Sequence, residues 1–117
     1  MASASDFNDR VSKLGIGNIK KHIFLCAGEK CCSAALGEST WNWLKNWSRS
    51  EEAVAAQVYR TKCKCLRVCR EGPVVVVYPE GTWYRNVTPE VCERIVKEHL
   101  EGGKIVEEYL FATNPLS

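Results

Sequence analysis

Seven cysteines stand in this 117-residue chain, and six of them fall into two close groups: Cys26, Cys31 and Cys32, then Cys63, Cys65 and Cys69. The seventh, Cys92, stands apart. Thiolates gathered from two loops suit three kinds of chemistry. Four can grip the compact inorganic core of an iron–sulfur cluster from two sides. Four can also hold tetrahedral zinc, and the Cys65-x3-Cys69 spacing lies within the usual range for it. A pair can cycle between dithiol and disulfide, but that chemistry favours C-x-x-C. The chain has no such pair, and Cys63-x-Cys65 and Cys31-Cys32 are poor substitutes.

The rest of the composition narrows these choices. Hydrophobic residues make up 45% of the chain and charged residues 26%, enough for one domain whose core needs no disulfide staples. The net charge of +2 is too small to argue for nucleic acid, and no aromatic-basic interleaving supports it. The chain also has no Gly-rich phosphate loop and no Ser-His-Asp order, so it reads as a binding or carrier protein rather than an enzyme. No apolar run reaches the roughly 18 residues of a membrane span, and residues 1–21 lack the apolar centre of a secretory signal. A cytoplasmic location is therefore expected. Cysteines in a reducing compartment serve as ligands or reactive thiols more often than as disulfides.

The elements that must position these thiols are short. Residues 21–26 form a strand candidate ending on Cys26, and residues 57–61 form another leading into the second cysteine group. Adjacent placement of the two strands would bring both groups to one end of a sheet. Residues 74–77, four valines bounded by Gly72-Pro73 and Pro79-Glu80-Gly81, read as a strand buried on both faces. A hairpin turn at residues 79–81 returns the chain along residues 82–87. A helix is expected from about Trp41, capped by Ser39 or Thr40, with Trp43, Leu44 and Trp47 toward the core. Thr88-Pro89 starts another helix, with Val91, Cys92, Ile95, Val96, His99 and Leu100 as its apolar stripe and Gly102-Gly103 as its end. Residues 1–20 read as a mobile or loosely docked arm, residues 105–111 as a last short strand or extended segment, and residues 112–117 as a tail.

Cys26-x4-Cys31-Cys32, then Cys65-Leu-x-Val-Cys69-x-x-Gly-Pro-Val-Val-Val-Val-Tyr-Pro-x-Gly-x-Trp-Tyr, then Val-Thr-Pro-Glu and a helix ending Glu-His-Leu together closely resemble the thioredoxin-like [2Fe–2S] ferredoxins. These in turn are similar to a small subunit of respiratory complex I and of hydrogenases. The resemblance implies an α/β (α+β) thioredoxin-like fold over residues 21–111, with a central mixed sheet of about four strands flanked by helices. It also implies a [2Fe–2S] cluster near the surface, a homodimer, and one-electron exchange with larger redox proteins. Carried over by position, the ligands are Cys26, Cys32, Cys65 and Cys69. Cys31 is the alternative to Cys32, because the first loop is shorter here than in some relatives. A cis bond at Gly72-Pro73 is a further implication.

Cys63 reads as a packed thiol or a spare one beside the ligands, and Cys92 as a small core hydrophobe. His22 and His99 lack paired spacing and read as non-ligands. Lys30, Lys62, Lys64, Arg67 and Arg70 surround the second group and suggest a docking face for an acidic partner. The competing readings are a structural zinc interaction module and, behind it, a thiol-disulfide oxidoreductase.

Overall fold

In the computed structural model, residues 4–26, 33–64, 66–68 and 70–115 are described. Helix α1 (Ala4–Leu14) and a 3-10 turn (Ile16–Asn18) lead into β1 (Lys21–Cys26). Helices α2 (Ala34–Trp47) and α3 (Glu51–Ala56) follow, then β2 (Val58–Cys63), β3 (Val74–Tyr78) and β4 (Thr82–Tyr84). Helix α4 (Pro89–Arg94) runs on as a π-helical segment (Ile95–Glu101), and a 3-10 turn (Glu107–Tyr109) precedes β5 (Leu110–Thr113). The sheet order is β2-β1-β3-β4-β5. β1 and β2 are parallel, and every other neighbouring pair is antiparallel. The fold is thioredoxin-like, with five strands rather than four, because β5 joins the edge of the sheet beyond β4.

Local chemistry explains the helix starts. Ser33 accepts from the Leu36 amide, Ser50 from Ala53 and Thr88 from Val91, so each cap satisfies one of the amides that a first turn leaves open. α2 thus begins well before Trp41. Of the two residues read as its caps, Ser39 bonds back to Ala35 O. Thr40, fully buried, donates to Val87 O at 2.9 Å and ties α2 to the chain after β4. Helix α1 is a difference from the sequence reading, which found only weak periodicity there. Its Phe7 and Leu14 remain largely exposed.

Alternation along the strands sorts the sheet into two unlike faces. Ile23, Leu25, Val75, Val77 and Tyr84 meet Leu44 and Trp47 of α2, Ala53 of α3, and Val91, Cys92, Ile95, Val96 and Leu100 from the last helix. This is the core. The opposite face carries His22, Phe24, Tyr59, Val76, Tyr78 and Trp83, with no helix among its core partners in the described residues. The valine strand is buried as expected, but only one of its faces packs on helices. On the other, Val76 lies in register between Phe24 and Trp83, and Val74 packs with Cys26, Cys63, Leu66 and Trp83. Gly72-Pro73 is cis, as is Tyr78-Pro79. The returning strand ends at Tyr84, sooner than expected, because Asn86 takes a positive φ and its amide turns to Glu71 O.

Candidate metal centre

β1 and β2 run parallel side by side with Cys26 directly opposite Cys63. Both strands therefore leave the sheet at the same end, and the loops that carry the two cysteine groups start next to each other. Cys26 is fully buried, and its Sγ lies 3.7 Å from the carbonyl oxygen of Lys64, the residue before Cys65. Cys63 Sγ lies 3.5 Å from Leu25 O, so each strand end is laced to the other through sulfur and main chain. Such sulfur hydrogen bonds are weak, and a thiol gives one up at little cost when it ionises to bind metal.

Of the expected ligands, Cys26 is in place at the end of β1. Cys31, Cys32, Cys65 and Cys69 lie outside the described residues, as does Lys30. Among the described residues no three His, Cys, Asp or Glu side chains gather as a metal site. What the described chain does fix is the frame: Ser33, just after Cys32, caps α2, and Leu66 packs with Cys26 and Val74. The donor chemistry fits a thiolate-bound group, because a cysteine sulfur, Cys26, stands at the start of the two loops in an apolar setting of Val74, Leu66 and Trp83.

Cys63 is half-buried and points to the same face as Cys26, away from the helix-covered core. Cys92 lies in that core, where burial pushes its thiol up to about 12, and it is inert at neutral pH. His22 stacks on Phe24 and shares a 2.8 Å hydrogen bond with Thr61 Oγ1. His99 is buried between Glu80 and Tyr84. Neither histidine approaches the cysteine end. The exposed cations Lys64, Arg67 and Arg70 belong to the second loop, and Arg67 takes a positive φ there. Lys62 leaves from the other face, where it pairs with Glu38 at 3.4 Å and lies over the Trp41 ring.

Sequence reasoning missed the chain of groups Lys21, Glu80, His99 and Tyr84, joined at 2.7, 2.8 and 2.8 Å. The available signal was a histidine on an otherwise apolar helix stripe. A buried polar side chain needs partners, and Glu80 and Tyr84 supply them. Tyr84 is fully buried in the core.

A two-layer fold, with parallel β1 and β2 ending on cysteines at one end of the sheet, defines the class: a thioredoxin-like domain. The chain is 34% identical over 98 residues to the 2Fe–2S ferredoxin of Clostridium pasteurianum, matching 77% of this chain and 94% of that protein. It is 30% identical over 99 residues to that of Aquifex aeolicus, matching 79% and 89%. The solved structure of the thioredoxin-like [2Fe–2S] ferredoxin from Aquifex aeolicus superposes with a TM-score of 0.72 at 28% identity, covering 84% of this chain and 96% of that one. No family model matches the chain. The chain belongs to the thioredoxin-like [2Fe–2S] ferredoxins, a family of iron–sulfur electron-transfer proteins. Among the described residues no helix is long and apolar enough to cross a membrane.

Proposed function

We propose that this chain carries one [2Fe–2S] cluster and moves single electrons between larger redox enzymes, with residues 21–111 as the working domain. The observation that carries the reading is the parallel pairing of β1 with β2, which starts both cysteine loops side by side. Cys26, Cys32, Cys65 and Cys69 are the proposed ligands, with Cys31 the alternative to Cys32. Bound there, the cluster supplies a one-electron couple whose potential follows its ligands, hydrogen bonds and exposure. The rest is the work of the chain. Buried Cys26 and its apolar neighbours exclude water from the inner side of the site. Lys64, Arg67 and Arg70 place positive charge on the outer side, which favours the more negative, reduced state and steers an acidic partner.

The open sheet face supports the homodimer. His22, Phe24, Tyr59, Tyr78 and Trp83 are half-buried there, none of them in the core cluster that the described helices form, and neighbouring Phe111 is 39% exposed. Trp83→Asp would convert a dimer to monomer in analytical ultracentrifugation, and an unchanged sedimentation coefficient would place the contact elsewhere. The cytoplasmic location is part of the same reading, and fractionation of cells with an antibody to the chain tests it. Visible absorption with iron, sulfide and zinc analysis tests the cluster itself. A colourless, stoichiometric zinc protein would favour the interaction-module reading.

A further inference from the structure

The fold holds a part-buried ionisable chain that the cysteine end does not use. Lys21 Nζ donates to Glu80 Oε1 at 2.7 Å, Glu80 Oε2 lies 2.8 Å from His99 Nε2, and His99 Nδ1 lies 2.8 Å from the Tyr84 hydroxyl oxygen. That oxygen also accepts from the Val106 amide at 3.2 Å. Val106, 2% exposed, opens the segment that leads into β5, and Asn114 N to Gly81 O at 2.8 Å closes it. The other charged groups nearby are engaged elsewhere or face water. Glu98 pairs with Arg94, Glu101 accepts from Trp47 Nε1 and pairs with Lys97, and Glu51 and Glu52 of α3 are exposed.

The partners fix the proton positions. An ionised Glu80 can only accept, so His99 Nε2 carries hydrogen. Neutral His99 then offers a lone pair at Nδ1, the Tyr84 O–H donates to it, and the Tyr84 oxygen keeps a lone pair for the Val106 N–H. Every member of the chain is satisfied. A second proton on His99 places two donors face to face, so the Tyr84 hydroxyl must turn and give its lone pair to Nδ1–H. Thr82 Oγ1, buried on the same face of β4 and interacting with the Tyr84 side chain, can accept the displaced hydroxyl proton. The Val106 amide must then share the Tyr84 oxygen with a second, charged N–H donor, and its hydrogen bond weakens.

We propose that His99 is a proton-operated latch on the C-terminal edge of the sheet. Neutral, it holds Val106 and β5 against β4 through Tyr84; protonated, it takes the Tyr84 lone pair and loosens that segment. Burial holds the His99 proton affinity below the ordinary histidine value of 6.5, against the pull of Glu80, so the latch is closed at neutral pH and opens under acid. The latch lies at the Lys21 end of β1, about 17 Å along the strand from Cys26 at roughly 3.3 Å per residue, and works independently of the metal centre.

Hydrogen exchange of the intact holoprotein at pH 7.5 and 5.5, corrected for intrinsic rates and with visible absorption followed throughout, tests this. Protection over residues 104–113 should fall by roughly tenfold or more at the lower pH while the valine strand stays protected. His99→Gln offers an N–H to Glu80 and a carbonyl to Tyr84 but does not titrate, and it should remove the pH dependence. Protection that does not change with pH, equal loss in both strands, or a drop that persists in His99→Gln would overturn the latch. Should that variant not fold, Glu80→Gln serves instead. Loss of the carboxylate should move the drop to lower pH, and an unmoved drop would also overturn the proposal.

Discussion

The two ends of β1 are built on opposite principles. At its Lys21 end, the side chains of Lys21, Glu80, His99 and Tyr84 satisfy one another within the described fold at 2.7 to 2.8 Å. At its Cys26 end, the sulfurs of Cys26 and Cys63 reach main-chain oxygens at 3.7 and 3.5 Å. One end is joined by short side-chain hydrogen bonds; at the other, the sulfur contacts are of a kind weak enough to exchange for a metal bond. The comparison teaches where stability and function separate: the latch end should carry folding free energy, and the cysteine end should carry redox chemistry.

The sharpest way to break that separation is at the hairpin on the latch side. Gly81 sits at φ +65, and a Cβ there would stand 1.9 Å from Asn114 O and 2.4 Å from its carbonyl carbon. Backbone rather than a flexible side chain blocks the space. Gly81→Ala is expected to cost about 2–4 kcal/mol in urea unfolding, combining the left-handed backbone penalty with displacement of the segment after β5. The visible spectrum of the folded fraction should not change. A bleached spectrum would mean the two ends are not independent.

Tyr84→Phe comes next. It removes a buried hydroxyl that joins His99 to the Val106 amide and leaves both without that partner, so a loss of about 1–3 kcal/mol is expected in the same assay. A change below a few tenths would show that the chain of hydrogen bonds contributes little.

Acid should act in the same place with a definite sign. His99 binds a proton less readily folded than unfolded, mainly through burial, so below about 6.5 the unfolded chain takes up more protons. The stabilisation is present in full above that value and is lost as pH falls toward the folded affinity. His22, depressed by burial as well, adds in the same direction. The urea midpoint should therefore be lower at pH 5.5 than at 7.5, and His99→Gln should flatten the difference. The smallest effect is expected at the other end. Charge reversal at Lys64 and Arg67 should leave stability within about 0.5 kcal/mol, slow electron transfer to an acidic partner at low salt, and reduce the salt dependence of the rate. An unchanged rate and salt dependence would remove the docking role.

Much of this arrangement was legible in the residues. The valine run, the Thr88-Pro89 start and the stripe from Val91 to Leu100 are strong local signals, and each became the expected element. The joint exit of the cysteine loops followed once the strands before them were read as neighbours. The start of α2 was less legible, because Ser33 caps a first turn, Ala34-Ala35-Leu36-Gly37, that carries little amphipathic pattern. β5 was weak because Leu110–Thr113 is a largely exposed edge strand whose partner, β4, is only three residues long. The latch was not legible because it joins residues from 21 to 106, and only tertiary packing shows that Glu80 and Tyr84 face one histidine.

The central claim is that thiolates from the two loops hold a [2Fe–2S] cluster. Its most direct test is iron, sulfide and zinc analysis with visible spectra on anaerobically purified protein and on single Cys→Ser variants at 26, 31, 32, 63, 65, 69 and 92. The account predicts a coloured protein with about two irons and two sulfides per chain, bleached by dithionite. It predicts loss or marked change of the spectrum at 26, 65, 69 and one of 31 or 32, with 63 and 92 retained. A colourless protein with stoichiometric zinc, or a spectrum indifferent to Cys26→Ser, would contradict it.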